Sequence, residues 1–237
     1  MNHDIALRDR IIFALDVPDA AQAKAFVRTL GKTIGYYKVG LQLFLAEGFP
    51  LVDWILGEGH KLMLDLKFHD IPQTVGLTMR EVARHGVHLA TVHAHTTSML
   101  RAAVAEAGDV GVLGVTVLTS VGEEEQRELG FPGTLEDMVR ARAGYALASG
   151  CAGVVASARE AALLRHEYGN DFLIVTPGIR PAVHGKDDQR RVMTPARAIA
   201  AGADHLVVGR PISKADDPLA VAEAMLEEVG ETVEGLE

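Results

Sequence analysis

Short apolar runs alternate along this chain with longer stretches in which apolar residues recur every third or fourth position. The first pattern predicts buried strands, the second amphipathic helices packed over them. The strand candidates are Ile11–Val17, Tyr36–Leu41, Lys61–Lys67, Leu89–His93, Gly111–Thr119, Gly153–Ser157, Phe172–Pro177 and His205–Gly209. Helix starts are marked between them. Asp19 with Gln22 and Ser157 with Glu160 have the spacing of capping boxes, while Thr194-Pro195 and Asp217-Pro218 fit an N-cap followed by proline. Eight strand–helix alternations require a parallel sheet with helical crossovers. An open, doubly wound sheet meets that requirement too. Eight units nevertheless use most of the 237 residues, which favours closure into a single-domain (β/α)8 TIM barrel over residues 1–237. The acidic end, Glu223 to Glu237, is expected to begin as a final helix and then fray into solvent.

Composition narrows the function. A formal net charge of −9 argues against a general nucleic-acid binder, yet leaves room for a local Arg or Lys cluster that holds a small anion. Cys151 is the only cysteine, so no intrachain disulfide or multi-thiolate metal site can form, and a small buried side chain is expected there. Met1 to Arg10 is polar and charged, unlike a signal peptide. No apolar run approaches the ~18 residues of a membrane span. A soluble, cytoplasmic protein without membrane or nucleic-acid partners is expected.

In a barrel, function gathers at the C-terminal ends of the strands. The polar residues least suited to buried strands, Asp16, Lys38, Asp65, Lys67 and Thr119, all sit at or near the ends of their runs. Pro177-Gly178-Ile179-Arg180 and Gly209-Arg210-Pro211 follow the last two strands. The third run carries the most information. Strand periodicity turns Leu62, Leu64 and Leu66 towards the helices and Met63, Asp65 and Lys67 into the barrel. Isolated charge there is prohibitively costly, so Asp65 and Lys67 must be paired or catalytic. Asp16 and Lys38 on neighbouring strands would extend them into an alternating array that keeps Lys67 protonated and fixed. A purely structural ion-pair network is the competing reading. Asp70, ahead of Ile71-Pro72, reads equally well as a helix N-cap.

Asp65-x-Lys67-x-x-Asp70-Ile71-Pro72-x-Thr74 resembles the signature of the orotidine 5′-monophosphate decarboxylase family. Further segments follow in that family's order: Phe13-Ala14-Leu15-Asp16, Lys38-Val39-Gly40, Val115 to Ser120, Thr176 to Arg180, Asp188-Gln189-x-Arg191 and Val208 to Ile212. The resemblance spans most of the chain. It implies decarboxylation of orotidine 5′-monophosphate (OMP) to uridine 5′-monophosphate (UMP) without cofactor or metal, with Lys67 protonating the ring carbon that loses CO2. By the same resemblance, Asp65 would lie beside the departing carboxylate and Lys38 would link it to the ribose. Asp16 would bind ribose hydroxyls, and Thr119 and Ser120 would face the pyrimidine. Pro177 and Arg180 join the substrate-binding set, and Gln189, Gly209 and Arg210 match the family's phosphate grip. Asp70 and Thr74 would reach into the neighbouring subunit's site, implying a homodimer with shared active sites and competing with the N-cap reading of Asp70. The segment Arg180–Met193 reads as a lid over phosphate. Ser120–Gly133 is either a second mobile loop or a surface insertion.

Other features point elsewhere only weakly. His93 and His95 have a spacing that could present both to a metal, but no third ligand is evident. Gly108, Gly111 and Gly114 do not open a helix as a dinucleotide loop does. Trp54 and Tyr145 lie in helical patterns and are expected in the core or an interface. Three rival functions share the scaffold. A magnesium-dependent sugar-phosphate decarboxylase has the same Asp-x-Lys-x-x-Asp motif, although Ile71-Pro72-x-Thr74 and Gln189 favour the orotidine enzyme. A Schiff-base aldolase through Lys67 is disfavoured because flanking carboxylates hold the amine protonated. A silent nucleotide-binding barrel has little use for a buried charge array.

Overall fold

The computed structural model describes residues 5–181 and 193–236. A one-turn helix α1 (Leu7–Arg10), absent from the sequence expectations, leads into β1 (Ile11–Ala14). There follow α2 (Ala20–Leu30), β2 (Tyr36–Gly40), α3 (Leu41–Gly57), β3 (Lys61–Phe68), α4 (Pro72–Arg84), β4 (Leu89–His93), α5 (Thr97–Glu106) and β5 (Gly111–Val115). The second half comprises α6 (Glu123–Glu128), α7 (Leu135–Ala148), β6 (Gly153–Val155), α8 (Ala158–Tyr168), β7 (Leu173–Thr176), α9 (Pro195–Ala200), β8 (His205–Val208), α10 (Arg210–Ser213) and α11 (Pro218–Glu234). Each strand runs parallel to the next, and β8 returns to pair with β1, Ile12 opposite Val207. The expected (β/α)8 barrel is therefore closed.

Local chemistry accounts for the helix starts. Asp19 accepts the Gln22 amide at 2.9 Å, Asp217 accepts that of Ala220 at 3.0 Å, and Thr194 caps α9 ahead of Pro195. Each side chain satisfies an amide that has no partner in the first turn. Neither expected capping box has the reciprocal form. The Gln22 side chain bonds the Asp19 carboxylate, and Ser157 accepts from Arg159. A reciprocal pair forms instead between Thr134 and Asp137.

Several elements depart from expectation. Strands β5 and β6 end at Val115 and Val155, although Thr116 beyond remains buried and its hydroxyl donates to the Val155 carbonyl at 2.9 Å. Helix α11 does not fray after Glu223. It continues to Glu234 because Met225, Leu226 and Val229 form a stripe buried against the barrel. Within 120–133, α6 forms, and Gln126 is tied to the Gly133 carbonyl.

The core has two shells. Ile12, Tyr36, Met63, Leu89, Leu113, Val155 and Val175 plug the barrel, while Leu62, Leu64, Val92, Ile174 and others pack outward under the helices. The outward set includes Leu62 and Leu64, and Leu66 packs against it, as the period of two predicts. Cys151 is buried, and burial pushes its thiol up to about 12. Trp54 lies half-buried beneath Lys24, whose Nζ is 5.0 Å from the ring centroid, but Tyr145 is 40% exposed and is no core residue. The β5 glycines serve packing: a Cβ at Gly114 would stand 2.5 Å from that of Ala146 on α7. No helix of the described residues is long and apolar enough to cross a membrane.

Gly153 sits at a tight point of the wall, since a Cβ there would lie 2.2 Å from the Leu173 carbonyl oxygen of the neighbouring strand. Gly153→Ala is expected to lower the unfolding free energy by about 3 kcal/mol in urea titration, the range of strained overpacking. Gly57→Ala, which meets nothing within 4 Å, should change it by less than ~1 kcal/mol. Equal effects would contradict this packing account.

Candidate active site

Strand β3 breaks its regular pairing where it carries its charges. Leu64 pairs with Ala90 and Phe68 with Val92, so four steps along β3 are matched by two along β4. Lys67 lies inside this irregularity with φ at +50°, alone among described non-glycine residues in having a positive φ. That conformation costs an L-residue about 1–2 kcal/mol. The amide of Lys67 donates to the Thr91 hydroxyl at 3.0 Å. Irregular strands of this kind often re-aim a side chain next to an active site.

The charges form one chain. Lys67 Nζ lies 2.8 Å from Asp65 Oδ1, Lys38 Nζ lies 3.3 Å from Asp65 Oδ2, and Lys38 Nζ lies 3.2 Å from Asp16 Oδ1. The Thr91 hydroxyl donates to Asp65 Oδ1 at 2.9 Å. Signs alternate from exposed Asp16 through buried Lys38 and Asp65 to half-buried Lys67. Burial alone would raise the pKa of Asp65. The neighbouring Lys38 and Lys67, with hydrogen bonds from Lys67 and Thr91, outweigh it and hold the carboxyl below its usual range. Burial likewise would lower the pKa of Lys38, but Asp65 and Asp16 raise it above the ordinary lysine value. Gly40 leaves room for this ammonium, because a Cβ there would come within 3.2 Å of Lys38 Nζ.

These groups edge a cavity of about 470 Å³ at the C-terminal mouth of the barrel. Met63, Val115, Val155 and Val207 give it an apolar floor. Thr119 and Ser120 line one side, and Pro177, Gly178, Arg180, Gly209 and Arg210 line the rim after β7 and β8. The cavity thus joins a charged wall, an apolar floor and a basic rim. It can hold a flat polar ring with an anionic group some distance from it.

Most of the sequence-derived site residues meet here: Asp16, Lys38, Asp65, Lys67, Thr119, Pro177, Arg180, Gly209 and Arg210. Asp70 and Thr74 do not. Both are exposed beyond β3, outside this cavity. The alternative N-cap reading of Asp70 fails, since α4 begins at Pro72 with Ile71 at the cap, and Asp70 Oδ1 accepts from the Ile71 amide at 2.6 Å. Gln189 lies outside the described residues, as do Asp188 and Arg191. The expected lid is described at its ends, where Ile179 bridges to Met193 and the Arg180 amide donates to the Met193 carbonyl at 3.0 Å.

His93 and His95 belong to a ring cluster with His69, whose ring stacks on His95 at 4.4 Å between centroids. Arg142 donates to His95 Nε2 at 3.1 Å and to the Thr116 carbonyl at 2.7 Å. Burial, followed by the charges of this cluster, lowers both His93 and His95 to about 4, so both rings are neutral at pH 7. Among the described residues, no group of three or more His, Cys, Asp or Glu could hold a metal ion. Thr91 is the site residue that the sequence reading missed. Its only signal was a hydroxyl at an inward position of β4, two residues after Leu89.

A family model described as orotidine 5′-phosphate decarboxylase / HUMPS family matches residues 9–225. Orotidine 5′-phosphate decarboxylase of Rhodopseudomonas palustris (strain BisB5) is 49% identical over 230 residues, covering 96% of this chain and 97% of that protein. The enzyme of the same name from Methylococcus capsulatus is 46% identical over 224 residues, covering 94% and 92%. The crystal structure of orotidine 5′-phosphate decarboxylase from Lactobacillus acidophilus superposes with a TM-score of 0.84 at 34% identity, covering 93% of this chain and 99% of that one.

The charge chain carries a pH signature. Asp65 titrates in the folded state below its unfolded value of about 3.9, so the stability it contributes is complete above about pH 5 and is lost as pH falls through the lower folded value. Asp65→Asn should therefore destabilise the protein at pH 7 by about 2–3 kcal/mol, somewhat less than a fully buried pair because Lys67 reaches solvent. The gap between variant and wild type in denaturant titrations should begin to shrink as pH falls below about 4 and narrow further towards the lower folded value. A gap that is absent at pH 7, or unchanged at pH 3, would contradict this electrostatic description.

Proposed function

The chain belongs to the orotidine 5′-phosphate decarboxylase / HUMPS family, and from that premise we infer that it decarboxylates OMP to UMP, the last step of de novo UMP synthesis. The observation that carries the reading is the Lys67 ammonium, fixed 2.8 Å from Asp65 on the wall of a cavity whose far rim carries Arg210. The magnesium-dependent sugar-phosphate reading shares the scaffold, but the similar proteins named above are orotidine decarboxylases over nearly their whole lengths.

The chemistry explains the residues. When the bond to the carboxylate breaks, CO2 leaves and the electron pair stays on the ring carbon in the ring plane. Lys67 gives that carbon a proton, and its amine is reprotonated from solvent. An ammonium already fixed in place stabilises the developing charge without reorganising at the moment of reaction. Asp65 holds that ammonium and lies beside the departing carboxylate. Lys38 bridges Asp65 to the ribose, and Asp16 takes the ribose hydroxyls. Thr119 and Ser120 face the pyrimidine. Pro177 and Arg180 line the substrate's path to the rim, where Gly209 and Arg210 grip phosphate; the family resemblance assigns Gln189 to the same grip. A backbone without Cβ at Gly209 permits close approach, and an arginine fork matches phosphate oxygens. Binding energy from this remote group serves to order the reacting end.

In the same reading the active unit is a homodimer in the cytoplasm, in which Asp70 and Thr74 of each subunit complete the site of the other. Support comes from their exposure beyond β3 and from the exposed apolar residues Leu41, Leu45, Ile71 and Leu77 on the segments after β2 and β3.

EDTA-treated protein should consume OMP, followed by loss of the orotate absorbance. Lys67→Ala should abolish turnover while UMP binding by calorimetry persists. Near-normal activity of that variant would remove Lys67 as proton donor. Mixed Lys67→Ala and Asp70→Ala subunits should regain about a quarter of wild-type activity, because half of the dimers would carry one intact site. No recovery, with subunit exchange demonstrated, would contradict the shared site.

A further inference from the structure

We propose that Thr91 is a positioning residue for the decarboxylation, an inference that rests on the reading of the reaction given above. Its hydroxyl ties the Asp65 carboxylate to the backbone of Lys67. Thr91 is fully buried in β4, on the inward face two residues beyond Leu89. Its single hydroxyl proton goes to Asp65 Oδ1 at 2.9 Å, so a lone pair on the same oxygen accepts the Lys67 amide at 3.0 Å. Asp65 Oδ1 also receives the Lys67 ammonium at 2.8 Å. A closed circuit results: Lys67 amide, Thr91 hydroxyl, Asp65 carboxylate, Lys67 ammonium.

The circuit answers two local difficulties. Where β3 and β4 fall out of register, the Lys67 amide bonds a β4 side chain, and a buried amide without any partner would be costly. Lys67 is also held at φ +50°, a conformation that persists only when the surroundings over-determine it. The backbone angle sets the direction in which the lysine side chain leaves the strand. The Asp65 bond sets where that side chain ends. Thr91 controls both through one oxygen, and so fixes the proton donor without touching substrate.

A displacement of about 1 Å at a reacting group can reduce the rate roughly 100-fold. Positioning therefore predicts an effect on kcat, with little on KM, because phosphate and ribose contacts are made elsewhere. Val and Ser separate this role from packing. Thr91→Val keeps the shape and loses the hydroxyl; Thr91→Ser keeps the hydroxyl and loses the methyl.

The test is steady-state kinetics with OMP on wild type, Thr91→Val and Thr91→Ser, with a thermal melt of each. The expected result is a roughly 10- to 100-fold fall in kcat for Val with KM within about threefold, and kcat within about threefold of wild type for Ser. Near-normal kcat for folded Thr91→Val would overturn the inference, as would a loss in Ser equal to that in Val. If Val does not fold, Ser against Ala makes the same comparison, since both lack the methyl and only Ser keeps the hydroxyl; equal kcat would overturn it. Wild-type protein without turnover would overturn the decarboxylase reading itself, and this inference with it.

Discussion

A carboxylate held between two ammonium groups inside a barrel organises this molecule. Asp65 is buried, and the flanking Lys38 and Lys67 with the hydrogen bond from Thr91 outweigh the burial that would otherwise raise its pKa. An uncompensated charge at that depth would cost several kcal/mol. The surroundings are shaped accordingly. Gly40 makes space for Lys38, the β3–β4 pairing slips to carry Lys67, and Lys67 itself occupies a strained backbone conformation. Each of these weakens the wall locally. The apolar plug lower in the barrel, from Ile12 around to Val175, is buried throughout. Stability and function thus occupy opposite ends of the same strands, as barrels of this type arrange them.

The cavity separates two tasks. At one wall stands the Lys67 ammonium, which the proposed reaction sets against the carbon that must accept a proton. At the rim, Gly209 and Arg210 offer contacts to an anion that takes no part in bond breaking. In the proposed reaction such preorganised electrostatics would stabilise the electron pair left on the ring. In that reading the Lys67 ammonium would supply both the stabilising charge and the proton, and ground-state repulsion between Asp65 and the substrate carboxylate would act in the same direction.

Much of this was legible in the sequence, for reasons that differ by residue. Asp16, Lys38, Asp65 and Lys67 stood out because charge at the end of an apolar run has few structural explanations. The eight alternations carried the barrel, because helical crossovers admit only a parallel sheet. Thr91 was illegible, since threonine is an ordinary strand residue and its importance arises from a register slip that periodicity cannot reveal. The cap alternative for Asp70 fails because the aspartate-to-proline spacing allows a cap at either residue before Pro72, and α4 starts with Ile71 at the cap. The frayed tail was inferred from its charge. The stripe of Met225, Leu226 and Val229 was also present in the sequence, and it outweighs that charge once α11 packs on the barrel.

The central claim is that the charge chain is assembled before substrate arrives and already points Lys67 at the reacting carbon. A crystal structure with UMP bound tests this most directly. The account predicts that the Lys67 Nζ–Asp65 Oδ1 contact stays near its present 2.8 Å and that Nζ lies within about 3–3.5 Å of the ring carbon that carried the carboxylate. A bound nucleotide whose ring carbon lies far from Lys67, or a site in which the Asp65–Lys67 pair has come apart, would contradict it.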